Sequence, residues 1–350
     1  MERRITRNFN IGNVGIGSNY PISIQSMLKT KNTDVDACLR QIKELEDVHC
    51  DLIRVSVPDD KSLETFVTLQ KNTTIPLIAD IHYSYELAYK VLEAGAKKIR
   101  MNPGNMPDFS KIDKLVSELK NNHACIRIGV NAGSINKSYE NQSEVDKIVN
   151  STMDCLSVFE NFSFHDIVLG LKSSNIQTTI ECNEKIAKMC DYPMHIGLTE
   201  SGPLREGLVK SSIAISRLLE QGIGDTVRVS LSNSPVEEVI AAKTILKSLG
   251  LRNDVPELVS CPTCARTKIN VPLLSEKIEK ELAKINKNIK IAVMGCPING
   301  IDEGKGADLG IAGGEKESII FVKGKQVARI SNENLVEEFM KYVNNYLKEE

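Results

Sequence analysis

No stretch of this 350-residue chain approaches the ~18 consecutive apolar residues that a membrane-spanning helix needs. The opening segment, Met1 to Asn8, carries charge but leads into no apolar run that would serve as a signal sequence. Charge of one sign is not in excess either. Against 44 Lys and Arg stand 46 Asp and Glu, a formal net charge of -2, which argues against a general nucleic-acid binder. Any work done by positive charge must therefore be local. Cysteine lacks a disulfide framework: of nine, an odd number, six (Cys38, Cys50, Cys125, Cys155, Cys182, Cys190) sit at no framework spacing. They read as reduced core residues, so the expected compartment is the reducing cytoplasm. There is no low-complexity tract and no repeat longer than a βα unit. A chain of this length buries roughly three quarters of its unfolded surface, enough for one large domain and a smaller one without covalent staples.

The other three cysteines are placed differently. Cys261 and Cys264 lie in Ser260-Cys261-Pro262-Thr263-Cys264, Cys296 in Met294-Gly295-Cys296-Pro297, and Glu303 follows in Asn299-Gly300-Ile301-Asp302-Glu303-Gly304. Thiolates are the soft donors preferred by iron-sulfur clusters and by zinc, and a C-x2-C turn lets two reach one centre. A carboxylate in the fourth position is harder and more easily displaced, so one metal atom could exchange it for a substrate oxygen. Structural zinc remains the alternative on spacing alone, although closure of such a site by carboxylate is unusual. The proline after Cys261 and after Cys296 stiffens both loops without choosing the metal.

Upstream, short β-branched runs alternate with helical patterns. Eight runs predict strands: Ile22 to Met27, Asp51 to Val57, Pro76 to His82, Lys97 to Asn102, Cys125 to Asn131, Asp166 to Lys172, Met194 to Glu200, and Asp225 to Leu231. Eight βα units fit a closed (β/α)8 barrel of TIM type, usually ~250 residues, with a doubly wound open sheet as the alternative. Val35 to Leu45 carries apolar residues at helical spacing. Ser234-Pro235-Val236-Glu237 opens another helix with a cap, a first-turn proline and an acid, and Gly250 stops it.

Side chains alternate along a strand, so Arg54 with Ser56, Asp80 with His82, Arg100 with Asn102, Arg127 with Asn131, and Arg228 with Ser230 each share a side. Buried unpaired arginine is costly. Arg54, Arg100, Arg127, Lys172 and Arg228, all near C-terminal strand ends, thus imply an anion at the face where barrel active sites lie, and several cations suit a diphosphate better than one carboxylate. Any one of them has a plainer reading as a loop salt-bridge partner, but five in phase do not. His82 has a plainer role as a satisfied core histidine and Asp80 as a helix cap. Glu200 is either a proton donor or an arginine partner. His195 begins its strand and is expected at the opposite face, as a structural residue. His49, His123 and His165 form no constellation, and the Lys/Glu-rich helices near 276 to 287 and 333 to 350 read as solvated faces.

Leu251 to Pro256 breaks the βα pattern and predicts a boundary, giving a substrate-binding barrel over 1–250 and a small α+β metal domain over 251–350. The latter is expected to hold a strand into Cys261, a helix from Leu273 to Ile285, a strand from Lys290 to Gly295, another around Asp308 to Ala312, a hairpin from Ile319 to Ile330, and a helix from Glu333 to Leu347. Every candidate metal ligand lies in one domain and every candidate anion-binding residue in the other.

Ordered segments along the whole chain resemble a known family: Gln25-Ser26-Met27; Ile53-Arg54-Val55; Ala79-Asp80-Ile81-His82; Ile99 to Asn105; Arg127 to Ser134; His195-Ile196-Gly197 with Thr199-Glu200; Gly222 to Thr226 leading to Arg228-Val229-Ser230; Cys261-Pro262-Thr263-Cys264; and Val293 to Cys296. The chain resembles the bacterial 4-hydroxy-3-methylbut-2-enyl diphosphate synthases, iron-sulfur enzymes of the methylerythritol phosphate route to isoprenoids, in their two-domain form. The resemblance implies a 4Fe-4S cluster on Cys261, Cys264, Cys296 and Glu303, with Asn299 beside it. It implies 2-C-methyl-D-erythritol 2,4-cyclodiphosphate held by Arg54, Asp80, His82, Arg100, Asn102, Arg127, Asn131, Lys172, Arg228 and Ser230. Reduced flavodoxin or ferredoxin would supply two electrons for ring opening and loss of water, Glu200 would supply a proton, and the barrel of one subunit would face the cluster domain of its partner in a head-to-tail homodimer.

Two segments depart from the family pattern. The usual Asn-Gly-Pro-Gly-Glu-Ala reads Asn299-Gly300-Ile301-Asp302-Glu303-Gly304, which makes Asp302 a second candidate oxygen donor. After Met27 the chain has Leu28-Lys29-Thr30-Lys31-Asn32 in place of Thr-Asn-Thr-Asp-Thr. Two rival readings remain at this stage: a redox-inert barrel lyase or transferase with structural zinc, and a non-catalytic iron-sulfur paralogue.

Overall fold

The short β-branched runs form the expected ladder. In a computed structural model of the chain, described for residues 2–81, 84–102, 111–131, 135, 139 and 141–349, with the side chains of 298 and 299 outside the description, two compact units appear: Met1–Leu251 and Arg252–Glu350.

The first unit opens with a hairpin, β1 (Phe9–Ile11) and β2 (Val14–Ile16). Eight parallel strands follow: β3 (Ser23–Met27), β4 (Leu52–Val57), β5 (Leu77–Ile81), β6 (Lys98–Met101), β7 (Cys125–Asn131), β8 (Ile167–Lys172), β9 (His195–Ile196) and β10 (Thr226–Val227). Their order is β8-β7-β6-β5-β4-β3-β10-β9, and a parallel bridge from Leu169 to Met194 joins the two ends, so the sheet closes into a barrel. Helices α1 (Val35–Asp47), α2 (Asp60–Lys71), α3 (Tyr85–Glu93), α4 (Ile112–Asn121), α5 (Glu144–Asn161), α6 (Ile176–Met189), α7 (Leu204–Leu219) and α8 (Pro235–Ser248) alternate with the strands. Polar residues that leave the strands cap the helices that follow: Asp34, Asp59, Ser84, Ser143, Asn175 and Ser234 each accept a first-turn N–H.

The hairpin has a definite job. Ile11 and Ile16 are fully buried among Leu52, Ile78, Cys125 and Val168, which lie near the starts of β4, β5, β7 and β8. It plugs the N-terminal end of the barrel with apolar side chains and leaves the polar interior to the other end. Strands β9 and β10 are shorter than the sequence suggests. Gly197 (φ +150°) and Glu200 (φ +53°) turn the chain out of extended geometry just after Ile196.

The second unit is a five-stranded sheet, β11 (Glu257–Ser260), β12 (Lys290–Met294), β13 (Leu309–Ala312), β14 (Glu317–Val322) and β15 (Lys325–Ser331), parallel over the first three and antiparallel thereafter. Alternation in β12 sorts its two faces. Ile291 and Val293 join the core formed with α9 (Val271–Leu282) and α11 (Leu335–Glu349), whereas Ala292 and Met294 meet Ala312 and Phe321 on the other side. That second face carries α10 (Pro297–Gly304), a helix the sequence reading did not foresee. It packs closely because of its glycines: a Cβ on Gly300 would stand 2.8 Å from Ala312 Cβ, and one on Gly304 2.5 Å from Phe321 Cζ. All nine cysteines are unpaired, and burial pushes the Cys50 and Cys125 thiols up to about 12. Among the described residues no helix is long and apolar enough to cross a membrane.

Candidate active site

Strand register decides which side chains share the barrel interior. Asp80 is paired in register with Arg100, Arg100 with Arg127, and Asn131 with Lys172, so these residues line one inward surface toward the C-terminal strand ends. Asp80 bridges two guanidinium groups, at 3.6 Å from Arg54 and 3.3 Å from Arg100. Arg228 lies 3.6 Å from Glu238. Arg127 and Lys172 are buried and form no salt bridge with a described residue, and Arg127 Nε and Nη1 have no hydrogen-bond partner among the described residues. Gly129 leaves the room these long side chains occupy: a Cβ there would approach Arg100 Nε to 2.9 Å and Arg127 Nε to 3.4 Å.

The electrostatics are lopsided. Burial, then the charges of Arg54 and Arg100, act against the Arg127 cation, and burial with Arg127 and Arg228 holds Lys172 well below the ordinary lysine range. Arginine keeps its proton regardless, so the strain appears as folding free energy that a bound anion would relieve.

The remaining sequence candidates fall as follows. Asn102 is buried just past β6, Asn131 ends β7 half-buried, and the Ser230 carbonyl accepts from Ser201 Oγ. Glu200 is exposed and occupies the left-handed region, a conformation that non-glycine residues adopt at a cost and that recurs at functional positions. His82 lies outside the described residues.

Three residues were missed or misplaced. His195, expected to be structural at the opposite face, is wholly buried inside the barrel, Nδ1 3.3 Å from Thr226 Oγ1, and burial with Lys172, Arg127 and Lys98 keeps its imidazole neutral. Lys98, fully buried two residues before Arg100, is inward by the same alternation that selected Arg100. Glu238 hides beside a helix-start signal, yet it is 1% exposed, accepts from Leu231 N at 2.9 Å and pairs with Lys29 at 2.8 Å. Lys29 belongs to the segment that departs from the family pattern, and its Nζ also reaches the Leu231 and Asn233 carbonyls, so the departure ties that loop to the segment between β10 and α8. Glu238→Gln keeps the shape and removes the charge that Lys29 and Arg228 share. It should cost about 3–5 kcal/mol of stability, read from the urea midpoint.

In the second unit the parallel strands β11 and β12 end at the same edge, and Cys261 and Cys296 follow directly. The Cys261 amide bonds the Val293 carbonyl at 3.1 Å, and the Gly295 amide donates to Cys261 Sγ at 3.1 Å. Thr263, at φ +69°, turns the chain so that Cys264 can return, its amide on Thr267 Oγ1 at 3.0 Å. The Arg266 amide, then its charge, lowers the pKa of the exposed Cys264 thiol. Cys296 directly precedes α10, which places Gly300 and Glu303 on one face, and Cys261, Cys264, Cys296 and Glu303 line a cavity of about 160 Å³. Asp302 is not among the residues lining it. Asn299 belongs to the same helix, one turn before Glu303.

The donor set at this cavity is three soft thiols and one harder carboxylate. Three thiols and a carboxylate ringing a common cavity fit a polynuclear group, in which each donor binds a different iron.

Comparison with known proteins agrees along the whole length. Residues 6–243 match the GcpE TIM-barrel domain and residues 257–345 the GcpE protein C-terminal domain. The 4-hydroxy-3-methylbut-2-en-1-yl diphosphate synthase (flavodoxin) of Caldanaerobacter subterraneus subsp. tengcongensis is 46% identical over 351 residues, covering 99% of this chain and 99% of its own. The enzyme of that description from Clostridium tetani is 42% identical over 348 residues, covering 99% and 100%. A solved dihydropteroate synthase from Stenotrophomonas maltophilia superposes with a TM-score of 0.54 at 15% identity, covering 70% of this chain and 97% of that one, a likeness of fold alone.

Proposed function

We infer the reaction from kinship: the chain belongs to the GcpE family, is an oxidoreductase with 4-hydroxy-3-methylbut-2-en-1-yl diphosphate synthase activity, and serves isoprenoid biosynthesis by the methylerythritol phosphate route. Its residues then divide the work between the two units. Arg54, Arg100, Arg127, Lys172 and Arg228 grip the diphosphate of 2-C-methyl-D-erythritol 2,4-cyclodiphosphate, and Asp80, His82, Asn102, Asn131 and Ser230 orient it through hydrogen bonds. Cys261, Cys264, Cys296 and Glu303 would hold a 4Fe-4S cluster, with Asn299 beside it. Bound there, the group would supply single-electron chemistry, with flavodoxin or ferredoxin as the source of the two electrons. In the overall change a carbon–oxygen bond to the ring diphosphate breaks, the freed oxygen keeps its negative charge, a hydroxyl departs as water with one proton, and an alkene forms. Glu200 donates that proton. The cations belong to one unit and the thiols to the other, and the family resemblance implies a head-to-tail homodimer in which the barrel of one subunit faces the cluster unit of its partner.

The observation that carries this reading is the surplus of buried cations over carboxylates inside the barrel among the described residues. A buried set of that sign is poised for a multiply charged anion. Anaerobically purified protein should be brown, with about four irons per chain. Its visible spectrum should change when the cyclodiphosphate is added, and a strong reductant should then release the linear diphosphate. A colourless, zinc-loaded chain would support the redox-inert reading, and a full cluster without turnover the non-catalytic one.

A further inference from the structure

Lys98 has no role in the scheme above, yet its setting is unusual. It begins β6 and is fully buried, and register places it beside Ile78 of β5 and Cys125 of β7. Both neighbours belong to the apolar floor sealed by the β1–β2 hairpin. Alternation puts its side chain on the inward surface, one step below Arg100 on its own strand and, through the pairing of Arg100 with Arg127, below Arg127 on the next. Its Nζ has no hydrogen-bond partner among the described residues. Among the described residues the titratable groups that interact with it electrostatically are Cys125 and Arg127 from β7, Arg54 from β4 and His195 from β9, none of them a carboxylate.

An ammonium in that position opposes folding, and nothing in the floor needs it: a methionine of similar length would pack against Ile78 and Cys125 without the burial cost. A residue that weakens the fold where an apolar one would fit is characteristic of a functional demand. We propose that Lys98 is a positioning residue for the substrate, acting from beneath on Arg127 and Arg100. Its charge repels their guanidinium groups toward the strand ends and adds to the field they present to the diphosphate. Burial, with Arg127 and Arg54, lowers its pKa to about 8, so the charge is still mostly present at neutral pH. This role rests on the reading of the barrel as the diphosphate site.

The test compares wild-type holoenzyme with Lys98→Met under anaerobic conditions, measuring kcat and KM for the cyclodiphosphate and thermal unfolding without substrate. The expected result is a KM raised about tenfold, a kcat changed about twofold or less, and a Tm equal to or above that of the wild type. An unchanged KM overturns the proposal, and so does a lowered Tm, which would make Lys98 a structural residue. Failure of the wild-type enzyme to turn over the cyclodiphosphate would instead defeat the proposed function, before any variant is compared.

Discussion

Two chains that are each inactive should regain about half of wild-type activity when they are paired. One carries Arg127→Met, the other Cys264→Ser, and the heterodimer is isolated through two different affinity tags after co-expression. Arg127 presents Nε and Nη1 with no partner among the described residues. Charge-assisted hydrogen bonds contribute about 1.5–3 kcal/mol each, so losing two of them should lower kcat/KM by roughly a hundredfold or more. Cys264 is the exposed thiol whose pKa the Arg266 amide lowers. A serine hydroxyl stays protonated at neutral pH and is a harder donor, so iron content should fall with activity. In a head-to-tail pair the Arg127→Met chain lends an intact cluster unit to the intact barrel of the other chain. One of two sites is then complete, which gives the factor of one half. If a single chain built its own site, the heterodimer would show no more activity than the two parents together, and the dimer proposal would fail.

How much of this was legible beforehand depended on how local the signal was. The inward phase of Arg54, Arg100, Arg127 and Arg228 followed from side-chain alternation, because a strand has only two faces. Alternation applied evenly would also have included Lys98, two residues before Arg100. The hairpin left only a faint trace, three-residue strands joined at Gly12-Asn13, although such a pair between short apolar runs is a turn signal. Helix α10 was hidden by its composition: a proline and two glycines in eight residues suggest a loop. Proline at a first helical position and glycines pressed against Ala312 and Phe321 make them compatible with helix, but only the sheet beneath reveals that. Glu238 was the least legible. Its charge serves Arg228 ten positions earlier and Lys29, some two hundred residues away in the sequence, a pairing that exists only once β10 lies beside β3.

Asp80→Asn should be strongly destabilising for a conservative change, and pyrophosphate should repair part of the damage. The carboxylate lies between Arg54 at 3.6 Å and Arg100 at 3.3 Å, almost wholly buried. Removing one member of a buried ion pair typically costs about 3–5 kcal/mol, because the remaining charges stay desolvated. Arginine does not escape by losing its proton, so the cost should appear as a lower urea midpoint in the absence of ligand. An anion that binds only the folded chain adds stability according to its saturation, about 2.7 kcal/mol at a hundred times its Kd. The asparagine variant presents the same cations with one fewer acid and should bind inorganic pyrophosphate more tightly than wild type does. The two midpoints should therefore converge as pyrophosphate is added, even though turnover falls with the loss of the orienting carboxylate. Parallel shifts in both proteins would mean that Asp80 does not compete with an anion for these guanidinium groups, and the barrel would lose its claim to be the site where the diphosphate sits.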